Sequence, residues 1–128
     1  MQLKWYKLNL FKTMERKTHK IDVTGKILGR VASQVALLLR GKNKVTFQPL
    51  LDEGDIVVIT SVDKMKFTGK KLEKKVFKHH TGFIGHLKIT KLSDLYEKKP
   101  QKVFEKAVYN MLPKNKLRAK MMKRLSFE

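Results

Sequence analysis

Three segments decide the fold: Lys20-Ile-Asp-Val23, Leu28-Gly-Arg-Val-Ala-Ser-Gln-Val-Ala-Leu-Leu-Leu-Arg40, and Ile56-Val-Val-Ile59. In the first, Ile21 and Val23 alternate with polar neighbours, which is the period of a short strand. Thr24 and Gly25 end it. In the second, Leu28, Val31, Ala32, Val35, Ala36 and Leu39 recur at helical spacing, and Gly41 suits the position just past the helix end. The third is a continuous β-branched run, as expected of a strand covered on both faces in a parallel sheet. Strand, helix and buried strand in that order imply a right-handed crossover unit.

The remaining elements extend this frame. Met65 and Phe67 alternate before Gly69 and suggest one more short strand. Residues 76–87 mix basic, aromatic and glycine residues and read as an irregular strand with an exposed loop. Residues 92–98 read as a short helix. Pro100 fits the first turn of a following helix, whose apolar face is Val103, Phe104, Ala107, Val108, Met111 and Leu112 and which Pro113 stops. Leu117, Met121 and Leu125 support a final basic helix, with Asn115 as its N-cap. The chain reads as one domain, residues 1–128. A basic N-terminal extension covers 1–18, an α/β core 19–112, and a basic C-terminal segment 113–128.

Charge narrows the function. Of 128 residues, 30 are Lys or Arg and 11 are Asp or Glu, a net charge of +19. A compact domain with that excess repels itself, and a polyanion relieves the repulsion. The cations crowd into residues 1–20, 64–91 and 110–128, whereas Asp52, Glu53, Asp55 and Asp63 share one segment. With no cysteine there is no disulfide, thiolate nucleophile or cysteine-ligated zinc. The longest apolar run, Val35 to Leu39, is five residues, against the roughly 18 of a membrane helix. Residues 1–13 are basic, acid-free and partly apolar. They read as a disordered or RNA-contacting extension, with an organelle presequence as the lesser reading and Met14 as an alternative start.

Gly25-Lys-Ile-Leu-Gly29-Arg30 sits where a strand enters a helix, the context of an anion site on helix amides. Its spacing matches neither dinucleotide nor P-loop patterns, so a tight turn is the expectation, with Arg30 able to reach a phosphate of a polymer. Arg40, Lys42 and Lys44 at a helix end suit the helix dipole or a phosphate backbone equally. The stretch from Thr68, Gly69, Lys70 and Lys71 to Lys78, His79, His80, Thr81, Gly82 and Phe83 can grip phosphates and stack on unpaired bases, with a solvated charged hairpin as the simpler reading. His79, His80 and His86 are not expected to bind metal, because adjacent strand residues point to opposite faces. Asp52, Glu53 and Asp55 are expected to solubilise a loop rather than to perform acid–base or cation chemistry. Ser33 has no histidine at a recognisable nucleophile spacing. Lys114, Asn115, Lys116, Arg118 and Lys120 follow the proline stop and suit either a solvated face or a polyanion.

At these residues the chain resembles the universal large-subunit ribosomal protein family number thirteen, in its bacterial or organellar form. The matching pieces include Lys26-Ile-Leu-Gly-Arg-Val-Ala-Ser33, Leu38-Leu-Arg-Gly-Lys-Asn-Lys44, Asp52-Glu-Gly-Asp55, Thr68-Gly-Lys-Lys-Leu72, Lys78-His-His-Thr-Gly82 and Met111-Leu-Pro-Lys-Asn-Lys-Leu117. In order and spacing they run over about residues 20–125. The resemblance implies a three-layer α/β/α fold around a mostly parallel four-stranded sheet. It implies binding to large-subunit ribosomal RNA beside neighbouring ribosomal proteins, a role in early subunit assembly, and no catalysis, cofactor, small-molecule substrate or membrane contact. It implies a place in the ribosome of the cytoplasm or of an organelle. Its RNA-facing positions map to Arg40, Lys42, Lys44, Thr68 to Lys71, His79 to Gly82 and Lys114 to Lys116. The chain departs from the family pattern at Phe83-Ile-Gly-His86, where a Pro-Gly-Gly-like turn is usual. It departs again at Tyr109-Asn110, where an Arg-Gly-like pair is common, and at Arg118-Ala119, where Gly-Arg is frequent.

Two rivals stay open from the residues alone. A generic basic nucleic-acid module would bind unrelated duplexes equally. A small α/β enzyme using residues 25–30 would bind a phosphorylated small molecule saturably and hold a perturbed titratable group in an apolar pocket. A peripheral binder of anionic membranes is weaker, since no helix joins a basic face to aromatic anchors.

Overall fold

The computed structural model describes residues 16–128, so the readings of residues 1–13 fall outside the described residues. Strand β1 is Thr18–Asp22 and helix α1 is Leu28–Arg40, followed by β2 at Ile56–Thr60 and a 3-10 turn at Val62–Lys64. Then come a short helix α2 at Lys71–Lys74, an antiparallel hairpin of β3 (Val76–His80) and β4 (Leu87–Lys91), and helices α3 (Leu92–Lys98) and α4 (Pro100–Met111). Helix α5 (Arg118–Lys123) and strand β5 (Leu125–Phe127) close the chain.

The strand–helix–strand unit forms, its first strand starting two residues earlier than the alternation suggests and ending at Asp22. β1 and β2 pair in parallel with His19 opposite Val57 and Ile21 opposite Ile59. The five positions Val31, Ala32, Val35, Ala36 and Leu39 of α1 are buried, the stripe that a 3.6-residue period produces. Gly41 ends the helix at φ 77°, where its N–H donates to the carbonyls of Leu37 and Leu38. Any side chain there would be strained, and a Cβ would lie 3.0 Å from the Glu53 backbone. At the other end Asp22 Oδ1 accepts hydrogen bonds from the Thr24 N–H and hydroxyl, which turns the chain out of β1. α4 starts with Pro100 in its first turn and buries Val103, Phe104 and Val108. Phe104 meets Phe127 edge to face, with centroids 6.0 Å apart, joining the helical core to β5.

The structure corrects five expectations. Among the described residues the parallel sheet has three strands in the order β1-β2-β5, not four. The expected strand at Met65 and Phe67 is a single bridge between Ile27 and Lys66, because the chain enters α1 at Leu28 and turns at Gly69 (φ 57°) before a ladder can grow. The third strand is β5, which pairs in parallel with β2 from residues expected to end a helix. In β2 only Val57 and Ile59 are buried, while Ile56 and Val58 are half-buried, so coverage of the two faces is unequal. Finally, Asn115 is not an N-cap: Leu117 occupies that position without a side-chain cap, and the Asn115 carbonyl accepts the Arg118 N–H in the preceding turn.

Candidate nucleic-acid interface

The acidic cluster is not a solvated loop. Asp55 is 1% exposed. Its carboxylate takes an ion pair from Lys44 at 2.6 Å, a hydrogen bond from the Lys17 N–H at 3.2 Å, and a contact with His19 Nε2 at 2.9 Å. Burial by itself would raise the Asp55 pKa. The bonds from Lys44, His19 and the Lys17 amide outweigh burial and hold it at about 2. Asp52 is gripped bidentately by buried Arg124 at 2.6 and 2.7 Å, and the same guanidinium donates to the Leu39 carbonyl at 2.8 Å. Gly54 fits between them because a Cβ there would stand 1.7 Å from the Leu39 oxygen. These contacts tie the end of α1 to the start of β2 and to the α5–β5 junction.

The expected contact residues therefore divide. Lys44 has its ammonium turned inward, donating to the Glu53 carbonyl at 2.8 Å as well as pairing with Asp55. Lys42 is exposed, and Arg40 lies half-buried over the Phe47 ring, 5.3 Å from its centroid. Arg30 is exposed in the first turn of the same helix, about 15 Å from Arg40 along the axis at 1.5 Å per residue. The glycine turn before it is engaged by the core: the Gly25 and Leu28 amides donate to the carbonyls of Lys64 and Lys66. Ser33 donates its hydroxyl to the Arg30 carbonyl, a helix-internal bond.

Thr68, Gly69, Lys70 and Lys71 are exposed in the turn leading into α2. Lys78, His79 and His80 lie on β3, exposed. Pairing of His79 with Lys88 and His80 with Leu87 puts the two histidines on opposite faces of the hairpin. The Gly82 N–H donates to His80 Nδ1 at 3.0 Å, which ties the ring to the loop backbone. Thr81 closes the loop through its N–H and hydroxyl onto the His86 carbonyl. Gly82 and Gly85 adopt φ 91° and 75°. Among the described residues, no group of three or more His, Asp or Glu could hold a metal.

Lys114, Asn115, Lys116 and Lys120 are exposed, and Arg118 is half-buried with its guanidinium 4.2 Å from the Tyr109 ring centroid. Two departures from the family pattern thus touch each other. Sequence reasoning missed Lys66, Lys75 and Lys106, which gather with Thr68 and Lys71 around one cavity. A signal was available for one of them. Lys106 and Asn110 stand four apart beside Val103 and Ala107, the spacing of one helix face.

Among the described residues, none of the lysines between 64 and 91 forms an ion pair with a carboxylate, whereas Asp52 and Asp55 are held inside. No helix among the described residues is long and apolar enough to cross a membrane. Fold and surface together define a basic α/β domain able to meet a polyanion. The description "Ribosomal protein L13" matches residues 16–127, and the chain belongs to that family. It is 48% identical over 112 residues to the large ribosomal subunit protein uL13 of Clostridioides difficile, covering 88% of this chain and 78% of that protein. It is 51% identical over 113 residues to the protein of the same name from Lachnospira eligens, covering 88% and 80%. For that of Clostridium tetani the identity is 52% over 112 residues, covering 88% and 78%.

Proposed function

We propose that this chain is a structural constituent of the large ribosomal subunit, where it binds ribosomal RNA and supports early subunit assembly. The observation that carries the reading is the division of charge. The acids at residues 52 and 55 are neutralised within the fold, and the lysines of residues 64–91 are left for a partner. Lys70, Lys71, Lys78 and the His80 loop fasten phosphates and unpaired bases, Arg30, Arg40 and Lys42 reach a second segment, and the turn at Lys114 to Lys116 a third. The core holds these groups at fixed separations, so that RNA segments which would repel each other are fastened together. Recognition follows RNA shape more than sequence, because A-form grooves hide most base edges. The chain performs no catalysis in this reading. Its neighbours are other large-subunit proteins, and its place is the ribosome of a bacterial cytoplasm or an organelle. The fold in this reading is three-layered, α/β/α.

Sedimentation of a native cell extract tests this. Co-migration with the large subunit that survives a moderate salt wash is the expected result. Migration near the top of the gradient overturns it.

A further inference from the structure

The cavity bounded by the start of α1, the residues before α2, β3 and α4 has a volume of about 210 Å³. Its floor is apolar: Leu92 and Val103 are each 2% exposed, and Phe77 and Ala107 complete it. Its rim is cationic, with Lys66, Lys71, Lys75 and Lys106, and no carboxylate lines it. Lys106 Nζ lies 4.0 Å and Lys75 Nζ 5.8 Å from the Phe77 ring centroid. The α1 N-terminus at the mouth has no acidic residue in its first turn, so its dipole adds to the positive field. Thr68 and Asn110 contribute a hydroxyl and an amide to an otherwise greasy wall.

An occupant matching these walls has a flat apolar body, a polar edge and an anion attached. We propose that the cavity receives one unpaired nucleotide of the bound RNA, its base over Phe77 and Ala107 and its phosphate among the rim lysines. This rests on the RNA-binding reading above. Base-paired nucleotides are excluded, because a base inside a duplex cannot leave its stack without breaking its pair. Asn110 and Thr68 meet the edge of the base, the part that a splayed-out nucleotide exposes. Lys106 and Lys75, now over Phe77, exchange an aromatic face for a phosphate.

Gly29 provides a selective test. A Cβ at this cavity-lining position meets nothing within 4 Å, so a side chain starts there without a clash, and Gly29→Phe is chosen to obstruct the entrance. The full chain, labelled at its methyl groups, is titrated with single-stranded oligoadenylate, with single-stranded oligouridylate, and with an RNA duplex of equal length. The expected result is movement of the Leu92, Val103 and Ala107 methyl signals with a single strand and not with the duplex. Gly29→Phe then weakens single-strand binding about tenfold, within the range measured for loss of one stacked base, and leaves duplex binding unchanged. Lys106→Gln weakens single-strand binding in the same selective way and serves if Gly29→Phe fails to fold. Single-strand binding with stationary methyl signals, or unaffected by both variants, overturns the cavity proposal and leaves RNA binding standing. Methyl shifts with an acidic aromatic peptide but with neither strand overturn it in favour of a protein partner. Failure of all three RNAs to bind overturns the RNA-binding reading, and the cavity proposal falls with it.

Discussion

The junction at the end of α1 and the β3–β4 hairpin are both rich in charge, and they use it in opposite ways. At the junction Arg124 is 8% and Asp55 1% exposed, and each polar atom has a partner inside the chain. On the hairpin Lys78, His79, His80, Lys88 and Lys91 are all exposed, and the only carboxylate between residues 64 and 91 is Glu73. One region converts charge into shape, and the other holds charge ready for a partner. The contrast shows how part of a charge of +19 is packed: Asp52 and Asp55 sit where Arg124 and Lys44 are drawn inward, and the hairpin cations are kept on a separate surface.

Removing one partner of the junction gives the largest expected effect. Arg124→Met leaves Asp52 without its bidentate partner and the Leu39 carbonyl without a donor. Breaking a buried pair in this way costs about 3–5 kcal/mol, read as a drop in the urea midpoint at constant slope. Lys78→Met on the hairpin, an exposed position, is expected to stay within about 0.5 kcal/mol of wild type. Equal losses at the two sites would break the comparison.

Acid sharpens the same contrast through Asp55. Its pKa in the folded chain is about 2, below the ordinary aspartate value of 3.8. A depressed carboxylate contributes stability that is complete above the unfolded value and is lost as pH falls through the folded one. The loss therefore runs from about pH 4 to about pH 2 and is on the order of 2 kcal/mol. Asp55→Asn should flatten stability across that window. A wild-type curve already flat there would remove the carboxylate from the account.

Legibility in the sequence follows the same division. Helix α1 could be read because thirteen residues repeat one period and end at a glycine. The hairpin cations could be read because exposure needs no partner to be named. β5 could not, since three residues after a basic helix show too little alternation to separate strand from helix. The role of the acids was hidden for a different reason. Arg124 lies 72 residues from Asp52, and no local pattern announces a pairing over that distance. Lys44 looked like a surface cation for the same reason, its neighbours in sequence being exposed and its partner in space being Asp55. Lys66 and Lys106 reached the cavity from two separate elements, a meeting that only the fold specifies.

The hairpin side of the comparison is tested by salt. Each phosphate neutralised contributes about 0.7–0.9 to the slope of log K against log salt. Replacing Lys70, Lys71 and Lys78 together by Gln should lower the slope for large-subunit RNA by about two to three, with the urea midpoint unchanged. Replacing Lys44 by Gln should do the reverse, lowering stability because Asp55 loses its ion pair and leaving the slope nearly as it was.

The smallest effect is expected where an ion pair belongs to neither region. Lys20 and Glu128 join β1 to the end of the chain at 3.1 Å, with side chains 65% and 56% exposed. Water screens such a pair, and holding two long side chains in register offsets much of the attraction, so its contribution is about 0–1 kcal/mol. Lys20→Ala should shift the urea midpoint barely beyond error and leave RNA affinity alone. The same type of bond at Arg124 differs in one respect, the exclusion of water. If Lys20→Ala proved as damaging as Arg124→Met, burial would not be what separates structural charge from presented charge in this chain.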